Sequence, residues 1–255
     1  MHGALLALPF GLAIGLSLGL VGGGGSILAV PVLVYVIGEQ VKQATTESLL
    51  IVGATALVGG LDQARDGRVR WRVAAGFGVG GAGGALPGTA LNRIASPSSI
   101  LFAFALVMFA AAYAMLRRKG EGGAEETDAH GRTLWLRVVP AGVGVGFLTG
   151  FFGVGGGFVI VPALVLLLGL PMPVAVGTSL LVIALTSASA LVAHLANGSI
   201  DWSVAAAFTG AAVAGALAGS RLGARLSSAR LTQLFAALIV AVALFLIAKN
   251  IAAVV

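Results

Sequence analysis

The chain has 255 residues, of which 58% are hydrophobic and only 9% charged, where a soluble domain carries roughly 25% charged residues. Its formal net charge is +6, but the basic residues gather in short loops between apolar runs, the pattern that membrane topology alone requires, so nucleic acid is not an expected partner. With no cysteine present, disulfides, thiolate metal sites and cysteine-based sulfur chemistry are excluded.

Polar backbone groups in lipid must be satisfied internally, which leaves helix bundles or closed barrels. Barrel strands alternate apolar and polar residues over about ten positions, whereas here the apolar runs are unbroken over about 17 to 22 residues, the length of a membrane helix. The sequence therefore predicts an all-α polytopic membrane protein whose principal partner is the lipid bilayer. The first apolar segment, near 4–21, has neither a basic region before it nor a small-residue cleavage site after it, and reads as a retained membrane segment. The next, near 26–38, follows the glycine run of "GLVGGGGSILAVPVLV" (Gly19 to Val34). About 12 residues at 1.5 Å rise reach only about 18 Å across a hydrocarbon core of about 30 Å, so this is a half-helix or a strongly bent one. Segments near 43–61, 71–91 and 97–117 follow. The polar, glycine-rich stretch "RRKGEGGAEETDAHGR" (Arg117 to Arg132) is a solvent linker. Beyond it come segments near 134–152, 157–169, 173–195, 202–222 and 229–250, the second again short.

The two halves are one unit written twice. "GFFGVGGGFVIVPALV" (Gly150 to Val165) repeats the first glycine element 131 positions later, and the same offset aligns Gly11/Gly142, Gly15/Gly146, Pro31/Pro162, Gly38/Gly169, Ser48/Ser179, Trp71/Trp202, Phe77/Phe208 and Gly88/Gly219. Repeats of this length are a hallmark of secondary transporters. The expected division is repeat 1 over 1–118, a linker over 119–133 and repeat 2 over 134–255. In repeat 1 the 61–72 loop carries Arg65, Arg68, Arg70 and Arg72, while its counterpart in repeat 2, "ANGSID", carries no basic residue and Arg221, Arg225 and Arg230 fall one loop later. Corresponding loops then face opposite sides of the membrane, the signature of inverted repeats. The 61–72 loop and the linker are expected in the cytoplasm and both termini outside. Five crossings per repeat satisfy this, as do three crossings plus a re-entrant hairpin.

The glycine runs are the first chemical feature. Glycine permits sharp turns and close approach of a ligand, and a half-helix starting there presents free N–H groups and the positive end of its dipole. Such a terminus inside a membrane suits an anion. Gly24, Gly25 and Ser26 in repeat 1, and Gly155, Gly156 and Gly157 in repeat 2, are the candidate binding residues. Ser26 is positioned to cap the first half-helix. Close helix packing through small residues is the competing account. The runs lack the lysine of a phosphate loop, so nucleotide binding is not expected.

"ATTESLL" (Ala44 to Leu50) and "AVGTSLL" (Ala175 to Leu181) place Thr45, Thr46, Ser48, Thr178 and Ser179 near the start of the third segment of each repeat. These hydroxyls can donate to an oxyanion, or back-bond to their own helix. Ser48, Thr178 and Ser179 are taken as substrate candidates. Glu47 lies within an apolar segment, where an ionised group costs a few kcal/mol, and is the first candidate for coupling transport to protons. His194, matching Gln63, is the second. Asp62, Asp201, Trp71 and Trp202 read as interfacial residues, and "NGS" at Asn197 matches a glycosylation sequon. With three histidines, one near the chain start and one in the linker, the chain offers no hydrolytic constellation. An enzyme is not expected, nor is a metal or cofactor.

The paired elements at Gly22–Leu33 and Gly153–Leu164, of the form GxGGGxxxxPxL with Ser26 in place of the last glycine in the first, and the run "VGTSLLVIALTSASALVAHLANGSIDW" (Val176 to Trp202), resemble the sulfite exporter TauE/SafE family of permeases over nearly the whole chain. The resemblance implies a transporter of sulfur-containing or organic anions, such as sulfite or sulfoacetate, with substrate bound between the repeats. Glu47, where repeat 2 has Thr178, departs from a symmetric site, and the absence of cysteine argues against a mechanism like that of the thiosulfate importers, which depend on cysteine. The sequence thus predicts a secondary transporter of small anions. An anion channel with the same site and a non-transporting membrane scaffold are the alternatives. The oligomeric state is not legible.

Overall fold

The computed structural model describes residues 2–92, 94, 97–117, 131–152, 157–195 and 200–254. Among them are ten α-helices and no strand: α1 (His2–Val21), α2 (Ser26–Val32), α3 (Val41–Arg65), α4 (Trp71–Asn92), α5 (Pro97–Arg117), α6 (Gly131–Phe152), α7 (Gly157–Leu166), α8 (Met172–Leu195), α9 (Trp202–Ala224) and α10 (Ser228–Val254). Each expected apolar segment is a helix. Within the described residues five stretches, in α3, α6, α8, α9 and α10, are long and apolar enough to cross a membrane. The second segment of each half is short, as expected. α2 runs into a π-helical turn at Leu33–Ile37 that closes on Gly38 at φ 86°, and α7 has 10 residues, about 15 Å of helix. Pro31 and Pro162 lie inside these two helices, where each removes one N–H from the ladder.

The halves interleave. The principal pairings are α1 with α9, α4 with α6, α3 with α8, and α5 with α10. Every one joins a helix before the linker to a helix after it. Lipid tails are as apolar as the helices, so association depends on close packing through small residues. Gly11, Gly15 and Gly19, four apart and therefore on one face of α1, lie against Phe208, Ala212 and Ala216 of α9. Gly142, Gly146 and Gly150 of α6 lie in the same way against Phe77, Gly81 and Ala85 of α4. Each contact in the second set sits 131 positions from its counterpart in the first. Both pairs run parallel, since numbering rises together along each. α3 and α8 run antiparallel: Gly53 faces Ser187, and Gly60 faces Leu181. Around this frame Phe104 of α5 packs on Phe152 of α6 and Phe158 of α7, with ring centroids 5.2 and 4.7 Å apart.

The bundle has two chemically distinct ends. At one, Asp62 near the end of α3 accepts a hydrogen bond from Ser220 Oγ near the end of α9 at 2.7 Å, which brings the loop of Arg65, Arg68 and Arg70 beside Arg221 and Arg225. At the other, the start of α3 meets the start of α9, and the charged side chains among the described residues are Glu39, Glu47 and Asp201. Trp71 and Trp202, the exposed first residues of α4 and α9, stand at the basic and the acidic end respectively.

Candidate functional site

The glycine run interrupts the chain between α1 and α2. α1 closes as the Gly22 N–H donates to the Leu18 carbonyl at 2.8 Å. Gly22 then takes φ 73°, ψ −126°, a conformation that a Cβ forbids. A 3₁₀ turn follows over Gly23–Gly25, all buried, and α2 starts at Ser26. Gly23 is where the two interruptions meet: a Cβ there would overlap the Gly157 carbonyl, and Gly157 faces Gly23 and the Ser26 hydroxyl. Gly157 is the buried first residue of α7. The two helix starts are thus packed against each other inside the protein. Gly155 and Gly156 lie outside the described residues.

Ser26 does not act as the expected cap. It is the first helical residue rather than the one before it, and its Oγ donates to the Gly23 carbonyl at 2.6 Å. The N-cap position falls to Gly25, which has no side chain to offer. The reason is the 3₁₀ turn, which shifts the start of the α-helix by one residue and points the serine back over the turn.

Of the hydroxyl candidates, Ser179 comes closest to the crossing, with its Oγ beside Gly22. It donates to its own helix at the Val176 carbonyl, 2.8 Å away. Ser48, its counterpart, does the same to the Thr45 carbonyl at 2.8 Å. Both are buried. Thr178 is buried too, but turned toward the basic end, where its Oγ1 accepts from the Arg70 backbone N–H at 3.1 Å, just before α4 begins.

Glu47 occupies the equivalent place at the other end. Its Oε1 accepts from the Asp201 backbone N–H at 2.6 Å, just before α9 begins, and from Gln43 Nε2 at 3.0 Å. Position 47 corresponds to 178, and position 201 to 70. So Glu47 and Thr178, unlike in chemistry, do one structural job: each receives the N–H that precedes the fourth helix of the other half. Replacing Thr178 with valine, nearly isosteric but without the acceptor, should lower stability by about 1 kcal/mol. A melting curve of the purified protein checks this, and an unchanged curve removes the assigned role.

Glu47 is fully buried, and its Oε2 has no hydrogen-bond partner among the described residues. Glu39, in the turn after Gly38, reaches the Glu47 carboxyl. Burial, the hydrogen bond with Glu47, and the negative charges of Glu47 and Asp201 push the Glu39 carboxyl up to about 8 from its ordinary 4.5. Asp201 is held below its usual range by donors from Ser203 and Val204: its Oδ1 accepts from Ser203 Oγ at 2.7 Å, Ser203 N at 2.9 Å and Val204 N at 3.3 Å, capping α9. The side chain of His194 and the sequon at Asn197 lie outside the described residues.

Two residues outside the sequence-based set emerge from the packing. Gln63 is buried and its Nε2 donates to the Gly19 carbonyl at 3.2 Å, near the open end of α1. A lone glutamine next to an arginine-rich loop gave no reason to expect it inside. Glu39 reads as a loop residue until its partner is known. A groove of about 560 Å³ between α3, α4 and α8 is lined by Leu57, Leu61, Trp71, Leu181 and Leu185 among other apolar residues. It is too apolar to suit an anion.

Among the described residues, ten packed helices and the buried break at Gly22–Gly25 define a polytopic α-helical membrane protein. Residues 7–246 match the Sulfite exporter TauE/SafE family, and the chain belongs to it. It is 32% identical over 242 residues to a "Probable membrane transporter protein" of Xylella fastidiosa (strain 9a5c), covering 93% of this chain and 92% of the relative. A "Probable membrane transporter protein YunE" of Bacillus subtilis (strain 168) is 28% identical over 224 residues, covering 80% and 82%. No solved structure matches the chain.

Proposed function

We propose that this protein is a secondary transporter of small anions, sulfite or sulfoacetate among them, built from two inverted repeats. The observation that carries the reading is the buried meeting of Gly23 and Gly157, where two helix starts converge. Helix starts carry unsatisfied N–H groups and positive partial charge, and in transporters such ends face anionic substrates. Gly24, Gly25, Ser26 and Gly157 line the anion. Ser179 and Ser48 turn their hydroxyls from their own helix carbonyls toward it, while Thr178 steadies α4 at the edge. Because Gly24, Gly25, Gly157, Ser48 and Ser179 are buried, the halves must part for an anion to enter, first on one side and then on the other. Antiparallel α3 and α8, and contacts that recur at a constant offset, support an axis lying in the membrane plane. The arginine-rich end then faces the cytoplasm and the chain termini lie outside.

The test is current on a solid-supported membrane carrying reconstituted protein, with sulfite, sulfoacetate, sulfate and acetate applied in turn. Saturable current with at least one sulfur-containing anion is expected. Flux that never saturates would make the protein a channel. Absence of both current and binding for every anion would overturn the reading.

A further inference from the structure

We propose that Glu39 and Glu47 form a two-carboxyl proton-binding site at the acidic end of the bundle, holding one proton between them and so joining the Gly38 turn to the start of α9.

Three observations carry this. Glu47 is fully buried yet leaves Oε2 without a partner, and Glu39 Oε2 is a second buried oxygen without one. Among the described residues no donor reaches either oxygen, and ionised carboxylates only accept, so two carboxyls that reach each other are matched when one of them carries a proton. The Glu47 Oε1 already accepts from the Asp201 N–H and from Gln43, which leaves Oε2 as the acceptor not yet engaged. The other half supplies the contrast. Positions 39, 43 and 47 correspond to Leu170, Val174 and Thr178, where the same turn, closed by Gly169 at φ 72°, carries no titratable group. The backbone device is duplicated and the carboxyl pair is not.

Among the described residues, the charged groups facing Glu39 are Glu47 on α3 and Asp201 ahead of α9. Both are acidic, and both favour retention of the proton. Folding raises the affinity of Glu39 for the proton. The resulting stabilisation is therefore complete below the ordinary carboxyl range near 4.5 and is lost as pH rises through about 8. The proton comes from water and returns to it. Above that pH two negative charges face each other, and the turn is pushed away from α3 and α9. Any effect on anion flux rests on the transport reading above, whereas proton binding does not.

The experiment is infrared titration of carboxyl absorption in the full-length protein in lipid nanodiscs, without any anion substrate. Only nine Asp and Glu residues are present, so the background is low. One carboxyl per chain should lose its proton with a midpoint near pH 8. Glu39→Gln should abolish that step. Glu47→Gln, which keeps an oxygen for the Asp201 N–H and so retains the fold, should lower the midpoint by more than about one unit. The proposal is overturned if no carboxyl titrates between about pH 6 and pH 10, or if neither substitution moves the step. A midpoint that shifts with sodium concentration would overturn it too, assigning the pair to a metal cation instead. A second arm measures flux against pH in the Glu39→Gln protein, where the alkaline limb should flatten. If no anion is carried at all, the transport reading fails and the infrared result still stands or falls by itself.

Discussion

Gly23→Ala is expected to abolish anion flux and to lower the melting temperature sharply. The added methyl would overlap the Gly157 carbonyl, and this obstacle is backbone at the start of a buried helix, which has no rotamer to yield. Overpacking of a core costs typically about 1–3 kcal/mol and more where nothing can move, so the upper end of that range or beyond is expected. Gly24→Ala tests the mechanism in the adjacent position. Its methyl overlaps the terminal Cδ2 of Leu238, a flexible tip, and makes ordinary contacts with Leu238 Cγ and Phe235, so a smaller loss is expected. Gly83→Ala meets nothing within 4 Å. In a helix it should be neutral or stabilising by up to about 1 kcal/mol. Melting in detergent and uptake into proteoliposomes read the series. Equal behaviour of the Gly23 and Gly83 variants would show that the interruptions do not meet as closely as described.

The second large effect belongs to the helix pairs that tie the halves together. Gly15→Ala drives a methyl into the Ala212 carbonyl of α9, and Gly146→Ala drives one into the Gly81 carbonyl of α4. Each should prise apart a parallel pair packed through small residues, at a cost of about 3 kcal/mol or more. The two substitutions should be alike to within about 1 kcal/mol, because the local geometry is the same. Gly144→Ala, two residues from Gly146 on an open face of α6, should be silent. A damaging Gly15→Ala beside a harmless Gly146→Ala would break the equivalence of the two halves. Expression, monodispersity and melting temperature are the measurements.

Much of this architecture is legible along the chain. A membrane helix is announced by the length of an apolar run, and an interruption by residues that helices tolerate poorly, so α2 and α7 start where the glycine runs end. The duplication is legible because glycine, proline and tryptophan recur in register. Other features leave no signal along the chain, each for a physical reason. Ser26 fits the residue pattern of a cap, but a 3₁₀ turn moves the helix start by one position, and such a shift has no compositional signal. Glu47 stands out as a charge in an apolar segment, but it accepts from Gln43 one turn earlier and from the Asp201 N–H, 154 positions away, and Glu39, just after Gly38, reaches its carboxyl. Thr178 looks like one of several equivalent hydroxyls until the Arg70 N–H, 108 positions away, reaches it.

What the sequence determined by itself is local and periodic: helix lengths, the two interruptions, the repeat and the distribution of charge. These follow from what lipid demands of every backbone N–H and from the conformational freedom of single residues. What only the tertiary structure decided is which faces meet. All the helices are apolar, and lipid solvates each as well as a neighbouring helix does. Hydrophobicity therefore cannot choose partners, and close fit must. That fit puts α1 on α9 and α4 on α6, brings Gly23 against Gly157, and sets Glu39 beside Glu47, an encounter of two carboxyls that no pattern along the chain foretells.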